Sequence, residues 1–486
     1  MNDIESFGLK IGKKTFISTA AVLLAVMVFA LVLTQVVPMG VYERTTVDDR
    51  EVIVAGSYKQ TTGNRLPVWR IVTAPFEVFA SKDAMTAIMI ILSIMLIGGV
   101  FLILDKSGLL QYAMRLVIRR FEKKKYTLLA AVTLFGMILG SCLGLFEETV
   151  ILAPITVALA ISLGWDALVG IGMSVLAVGF GFSATLFNPF TTGVAQKLAG
   201  LPLFSGLWLR AIVFVVVYGL LFAFLFLYAK RIEKNPEKSL LHGVKTSTAR
   251  PGAEAERPPQ ETAHESKRNF GRGLKFFCLC LIVIAVYVVA GAFLPALSAY
   301  SMPMIALVIT IGGFGAGLLS GYNRVFRDFG KGIISFLPSV ALLMLAMSVK
   351  QIVESGGIMD TLLQYAYNVV INSGTLSSLL IIFLFVLCLE FFISGASSKA
   401  FLVIPLLAPL AELVGLTRQS IVMAFCFGDG FANVVYPTNA VLLIVLGLIG
   451  VPYTKWFKWT WKLQAAVLLI CIGFLVLAYT VGYGPF

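Results

Sequence analysis

The sequence is poor in charge, almost devoid of histidine and without paired cysteines, and each scarcity closes a class of function. Charged residues are 13% of 486 positions and hydrophobic residues 59%, where an ordinary soluble domain is about a quarter charged and about half apolar. A soluble globular protein is excluded. The only histidines, His242 and His264, lie in a polar stretch, so no histidine-based catalytic centre or metal site can sit in the apolar part. The six cysteines, Cys142, Cys278, Cys280, Cys388, Cys426 and Cys471, all fall in apolar runs without zinc-ligand spacing to histidine and read as buried free thiols. Also missing are the ~10-residue alternating segments that a membrane β-barrel needs.

Apolar length is what the chain has in abundance. Residues 14–37, 84–104, 207–228 and 276–294 are clear windows of about 20 residues, enough to cross a hydrocarbon core of ~30 Å. The expected fold class is an all-α polytopic membrane protein embedded in a lipid bilayer. The first window is too long for a signal-peptide core and lacks an A-x-A-like cleavage site, so it is expected to stay as the first helix.

The net charge of +13 is explained by its placement, without nucleic acid as a partner. Residues 115–125, "RLVIRRFEKKK", hold six Lys/Arg against one Glu, and residues 230–275 hold eleven against six Glu. Residues 41–70 are nearly balanced. That asymmetry is the positive-inside bias. It puts the N-terminus, the 115–125 loop and the 230–275 stretch in the cytoplasm, in a bacterial cytoplasmic membrane.

The stretch 233–270 is rich in Pro, Glu, Lys, Ser and Thr and reads as a disordered cytoplasmic linker. The expected organisation is an N-terminal transmembrane repeat (1–229), a basic linker (230–272) and a C-terminal transmembrane repeat (273–486). The two halves resemble each other in register. Ser107-Gly108 pairs with Ser355-Gly356, Pro154 with Pro405 and Gly164 with Gly415. Gly181-Phe182 pairs with Gly430-Phe431, Pro189 with Pro437, and Gly200 and Pro202 with Gly450 and Pro452. All offsets lie between 248 and 251. Following the charge clusters along the chain puts Ser107-Gly108 inside and Ser355-Gly356 outside. The repeats are therefore expected to be inverted, an arrangement of secondary transporters with a midplane site.

Four segments break the apolar pattern at corresponding places. "GSCLGLFEETVILAPI" (140–155) and "ISGASSKAFLVIPLLAPL" (393–410) each read as the flexible tip of a re-entrant helical hairpin. "GFGFSATLFNPFTTG" (179–193) and "FGDGFANVVYPTNA" (427–440) each read as a broken transmembrane helix. Such clusters taken singly are often kinks or close helix contacts. Irregular backbone at membrane depth is tolerated only inside protein or beside a water-filled cavity, so four matched breaks imply a polar cavity. Half-helix N-termini there suit a carboxylate.

The candidate substrate- and ion-binding residues follow from these segments. They are Ser141, Glu147, Glu148, Thr149, Asn188, Thr191 and Thr192 in the first half. In the second half they are Ser394, Ser397, Ser398, Lys399, Asp429, Asn433, Thr438 and Asn439. Asn188, Asn433 and Thr438 mark the expected neighbourhood of a Na⁺ ion. No cofactor is expected beyond Na⁺ or H⁺ as coupling ion. Charges at membrane depth are functional candidates by default. The competing reading of Glu147, Glu148 and Lys399 is an internal ion pair that holds the hairpins. Glu390, Lys350, Glu354 and Asp166 lie nearer expected helix ends, where snorkelling or a surface position is expected.

At these residues the chain resembles the four-carbon-dicarboxylate anaerobic carrier family (YfcC/DcuC-like), of the ion transporter superfamily. The landmarks are "VVPMGVYER" (36–44), "DKSGLL" (105–110), "FEET" (146–149), "FNPFTTGVAQKLAGLP" (187–202), "APLAELVGLTRQ" (408–419) and "FGDGFANVVYPTNA" (427–440). The resemblance implies two inverted repeats, each with one re-entrant hairpin and one broken helix, in a homodimer. It also implies Ser/Asn/Thr hairpin tips that bind Na⁺ and substrate carboxylate. The tips here keep Ser141, Ser394, Ser397 and Ser398 but lack a Ser-Asn-Thr tripeptide.

The expected function is secondary active transport, by symport or exchange, of a small carboxylate-bearing metabolite, either a dicarboxylate or an amino acid. A basic amino-acid antiporter of the arginine/ornithine type is the alternative, favoured by Glu147-Glu148. An intramembrane enzyme would need a histidine or metal cluster that the apolar part lacks, and a channel would need a repeated filter.

Overall fold

A backbone in hydrocarbon can satisfy its N–H and C=O groups only within itself, so each apolar window forms a continuous helix. The computed structural model describes residues 13–47, 50–54, 56–63, 65–81, 84–110, 112–113, 116, 124–146, 149–242, 269–293, 301–335, 337–393 and 395–484. Helix α1 (Lys13–Val36) leads to four short strands, β1 (Gly40–Val41), β2 (Arg44–Val47), β3 (Arg50–Ile53) and β4 (Lys59–Gln60). These pair antiparallel as β1–β4 and β2–β3. Then come α2 (Arg70–Glu77), α3 (Ala84–Ser107) and α4 (Lys125–Ile138), which runs on as a π-turn, Leu139–Leu143. Next are α5 (Thr149–Ser162), α6 (Ala167–Ser183), α7 (Val194–Leu198) and α8 (Leu207–Lys234). A π-turn, Pro189–Gly193, leads into α7.

The second half begins with α9 (Phe270–Phe293), α10 (Ser301–Leu319), α11 (Val325–Ser335) and α12 (Leu337–Ser355). It continues with α13 (Met359–Ile371), α14 (Thr375–Glu390), α15 (Ala396–Leu413) and α16 (Arg418–Gly430). It ends with α17 (Ala440–Ile449) and α18 (Tyr453–Thr480).

One order of elements occurs twice: helix, break, helix, turn, helix, break, short helix, long helix. It runs from α4 to α8 and again from α14 to α18. Helix ends follow the same register, because a left-handed residue past a helix C-terminus calls for glycine. Gly164 and Gly415 (φ 86° and 76°) close α5 and α15, and Gly200 and Gly450 (68° and 80°) close α7 and α17. After α3 and α12 the matching pair is Gly108 and Gly357 (85° and 63°), one residue beyond the Gly356 expected from sequence. Several pieces are short. Helices α5, α16 and α17 have 14, 13 and 10 residues, or about 21, 20 and 15 Å at 1.5 Å per residue, less than a ~30 Å core.

Helices α3, α9, α10 and α11 share a small core of their own, built on Ile97, Val100, Leu104, Phe277, Ile309 and Ala316. Their close approach depends on small residues: a Cβ on Gly332 of α11 would stand 2.6 Å from the carbonyl oxygen of Gly98 in α3. Most of the remaining buried side chains form one larger core. On α8, Leu209, Val213, Val217, Leu221 and Leu225 are buried, while Ile212, Val215, Val216 and Leu227 are exposed. A helix apolar on its exposed face as well belongs in lipid, and the chain is a multi-pass membrane protein.

Two connections fasten the halves and the linker. On one side, Asp360 of α13 accepts the Tyr42 N–H (2.9 Å) and both arms of a fork from Arg44 Nη2 (2.8 and 2.9 Å). The Tyr42 hydroxyl donates to Gln364 Oε1 (2.5 Å); burial, and next the charge of Asp360, push its phenol up to about 12. The other connection lies where the linker is expected to begin. Helix α8 continues to Lys234, and residues 236–242 fold back onto the first half. Asp166 Oδ2 accepts the hydroxyls of Tyr228 and Ser239 (both 2.7 Å), Oδ1 caps the Val169 N–H, and Leu241 is buried. These polar and apolar anchors order a stretch whose composition alone reads as disordered. Asp166 is therefore a half-buried helix cap. The remainder of the linker, 243–268, lies outside the described residues.

Candidate functional site

The segment that follows α4 is tied to the break between α6 and α7. The Ser141 hydroxyl donates to the Ala184 carbonyl (2.9 Å) and accepts the Leu186 N–H (2.9 Å), while the Ser141 carbonyl accepts Leu186 and Phe187 N–H groups (3.1 and 3.0 Å). Asn188 Oδ1 accepts the N–H groups of Phe190 and Thr191 (2.9 and 3.2 Å), and Nδ2 donates to the Gly140 carbonyl (3.4 Å). Asn188 therefore starts the helical turn after the break. Gly144 has φ 70°, and a Cβ there would sit 2.5 Å from Asn188 Oδ1. Thr149 donates its hydroxyl to the Phe146 carbonyl.

The second break is supported by α18. Its carbonyls at Phe431, Val434 and Val435 accept from Gln464 Nε2 (2.6 Å), Trp456 Nε1 (2.8 Å) and the Tyr453 hydroxyl (2.7 Å). Asn433 Nδ2 donates to the Asp429 carbonyl (3.1 Å) and Asn439 Nδ2 to Asn433 Oδ1 (2.7 Å). Asn439 Oδ1 caps α17 through the Leu442 N–H (3.1 Å). Broken backbone is tolerable here because protein donors satisfy it.

The two breaks face each other. A Cβ on Gly430 would lie 2.1 Å from Ser183 Oγ, and Phe180 meets Phe431 edge to face at 5.4 Å. Thr192 Oγ1 donates to Thr185 Oγ1 (2.9 Å) and touches Cys426 Sγ (3.4 Å) across the halves. One turn beyond Cys426 on α16 stands Asp429.

Lys399, in the first turn of α15, is the centre of this region. Its ammonium lies 2.6 Å from Asp429 Oδ1 and is also paired with the Glu390 carboxylate at the end of α14. Lys399 and Asp429 are 0% exposed and Glu390 2%. Lys399 and Asp429 Oδ1 satisfy each other, and Asp429 Oδ2 has no hydrogen-bond partner among the described residues. The hydroxyls of Thr191 and Thr438 are likewise buried without a hydrogen-bond partner among the described residues. Oxygen groups of this kind can serve a polar substrate or a small cation.

One expectation changes. Glu390 was expected near a surface as a helix-end residue, but at the end of α14 it is buried and paired with Lys399. Lys399 finds its counter-ions in its own half. Glu147 and Glu148, the partners considered from sequence, lie outside the described residues, as does Ser394. Ser397 and Ser398 belong to the first turn of α15, but their side chains are outside the described set. Lys350 and Glu354 form an i,i+4 pair at 3.5 Å, partly exposed.

Sequence reasoning also missed Arg210. Only 3% exposed, it donates Nη2 to the carbonyls of Phe204 and Ser205 (2.9 and 2.7 Å), while Nε and Nη1 have no hydrogen-bond partner among the described residues. Gln196 and Gln419, one from each half, both donate to the Ser205 carbonyl (3.0 and 2.9 Å). The available signal was an arginine within a 20-residue apolar window.

Comparison with known proteins gives one family. The model described as "C4-dicarboxylate anaerobic carrier" matches residues 16–480. An Escherichia coli (strain K12) protein named "Putative basic amino acid antiporter YfcC" is 30% identical over 413 residues, 82% of this chain and 78% of that one. An uncharacterized Haemophilus influenzae protein is 24% identical over 508 residues, 94% of this chain and 96% of that one. Among solved structures, the Alcanivorax borkumensis YdaH transporter aligns over 96% of this chain and 100% of its own, at 19% identity and TM-score 0.42. That likeness is too loose to bear on the site.

Proposed function

The chain belongs to the C4-dicarboxylate anaerobic carrier family, and from that premise we propose that it is a secondary active transporter for a small carboxylate-bearing metabolite. The family and the scarcity of intramembrane catalytic groups favour a carrier over an enzyme. The observation that carries the reading is Lys399, wholly buried between Glu390 and Asp429 where two broken helices meet. A fixed cation there, with the hydroxyls of Thr191 and Thr438 close to the breaks, suits a carboxylate. Symport with Na⁺ or H⁺, or exchange, would drive it. The proposed setting is the bacterial cytoplasmic membrane, as a homodimer, with the N-terminus and linker cytoplasmic.

The recurring order of elements, the paired glycines at helix ends and the placement of basic loops support inverted repeats around this site. The short α5, α16 and α17 support re-entrant and broken elements. A Na⁺ ion near Asn188, Asn433 and Thr438 would draw on Thr438 and Asp429, because Asn188 and Asn439 already use their amide oxygens as caps.

A second reading is a basic amino-acid antiporter. It is favoured by the carboxylate excess around Lys399 and by the name of the Escherichia coli relative. Proteoliposomes loaded with unlabelled succinate or arginine, then given the labelled compound, separate the two. Counterflow of succinate supports the dicarboxylate reading, and counterflow of arginine alone replaces it with the second.

A further inference from the structure

Glu390, Lys399 and Asp429 form a buried cluster of two carboxylates and one ammonium. If both carboxylates are ionised, one negative charge is left over in a region sealed from water, and an uncompensated charge at membrane depth is unfavourable. A substrate carboxylate arriving there would raise the excess to two negative charges unless a positive charge comes with it.

The surroundings favour a proton over a metal cation. A hard cation needs several oxygen ligands, and because the carbonyls of Phe431, Val434, Val435 and Asp429 each already accept a hydrogen bond, from Gln464, Trp456, Tyr453 and Asn433, the oxygen groups left without a partner for it are few: Asp429 Oδ2 and the hydroxyls of Thr191 and Thr438. A proton needs one carboxyl oxygen. Asp429 offers Oδ2, buried without a hydrogen-bond partner among the described residues, and it lies where α16 meets the first half. Glu390 stands at the joint between α14 and α15, on the same hairpin as Lys399.

We propose that Asp429 is the proton carrier of transport and Glu390 the fixed counter-ion of Lys399. Resting on the carrier reading, this names H⁺ as its coupling ion. A substrate carboxylate takes the place of Asp429 beside Lys399, and the released Asp429 carboxylate forms an O–H bond with a proton from the aqueous side. When substrate leaves, the proton returns to water and Asp429 pairs again with Lys399. Glu390 stays paired throughout and is a positioning residue.

Among the described residues, other titratable or charged groups on the surrounding elements are engaged elsewhere or exposed. Cys426 on α16 touches Thr192, and Arg210 of α8 is bonded to the carbonyls of Phe204 and Ser205. From the next elements, Tyr436 donates to the Leu387 carbonyl, Tyr453 to Val435, and Arg418 to Ala199. Asp360 of α13 is tied to Arg44, Lys197 of α7 is exposed, and so is Cys388 of α14.

The test uses full-length protein in proteoliposomes with a pH-sensitive dye inside, and labelled succinate and labelled arginine as probes. Wild-type uptake should rise when the outside is made acidic, with lumenal acidification that tracks the transported label. Asp429→Asn should bring the ratio of uptake with and without the pH gradient down to about one. Glu390→Gln should raise KM, since Lys399 is then held by Asp429 alone, while gradient stimulation persists. Uptake driven by Na⁺ without dye response, or an Asp429→Asn variant with the wild-type ratio, overturns the inference and leaves the carrier reading standing. If Asp429→Asn does not fold, the dye response of the wild type decides. Wild-type protein that moves neither probe under any gradient overturns the carboxylate-carrier reading itself.

Discussion

Replacing Lys399 with methionine keeps an unbranched side chain of similar bulk and removes the one positive charge between Glu390 and Asp429. The two carboxylates would then face each other with no counter-ion, in a place where all three groups are at most 2% exposed. Breaking a buried ion pair by deleting one partner is unfavourable by about 3–5 kcal/mol, roughly two to four orders of magnitude in a folding equilibrium. Removing all the charges is different, since neutral replacements of a buried ionic cluster are often harmless to stability. Lys399→Met should therefore lower the unfolding temperature of detergent-purified protein markedly. Lys399→Met combined with Glu390→Gln and Asp429→Asn should recover most of the loss yet stay inactive in uptake. Trp456, bonded to the second break, makes intrinsic fluorescence a suitable probe of that unfolding. A single variant that melts like wild type, or a triple variant no more stable than the single, would refute the charge cluster as described.

Gly430→Ala places a Cβ 2.1 Å from Ser183 Oγ and 2.8 Å from its Cα; it should force the two breaks apart and abolish uptake, and normal uptake in vesicles would contradict the contact. Trp456→Phe leaves the Val434 carbonyl without its donor, a loss of about 1–3 kcal/mol that thermal unfolding should detect. Arg44→Ala removes the fork on Asp360, and a charged hydrogen bond of this kind contributes about 1.5–3 kcal/mol. The expected outcome is a modestly less stable protein whose difference from wild type shrinks in high salt, read in the same unfolding assay. An Arg44→Ala variant as stable as wild type at low salt would remove this latch from the account.

Much of the architecture was legible in the chain because hydrocarbon leaves few choices. The windows at 14–37, 84–104, 207–228 and 276–294 all became helices, and the glycine pairs Gly164/Gly415 and Gly200/Gly450 mark matching helix ends. Lys399 and Asp429 were legible as charges beside breaks. Glu390 was misjudged because a helix end ordinarily means a membrane surface, whereas at the end of α14 it is buried and paired with Lys399. Arg210 was hidden because an average over an apolar window dilutes a single charge. The asparagines read as open ligands, but whether an amide binds an ion or caps a helix depends on backbone geometry, and Asn188 and Asn439 cap. Leu241 illustrates the opposite case: a leucine in a polar linker gives no sign of its burial until the surface it covers is known.

Uptake into proteoliposomes decides whether the Lys399 cluster is the binding site of a carboxylate carrier. Wild type and Lys399→Met would be compared with labelled succinate and labelled arginine, under separate pH and Na⁺ gradients. The wild type should show gradient-driven accumulation of one of these carboxylate-bearing compounds, and Lys399→Met protein that still elutes as a folded species should have lost it. Accumulation by a folded Lys399→Met variant at the wild-type rate would contradict that role of the cluster.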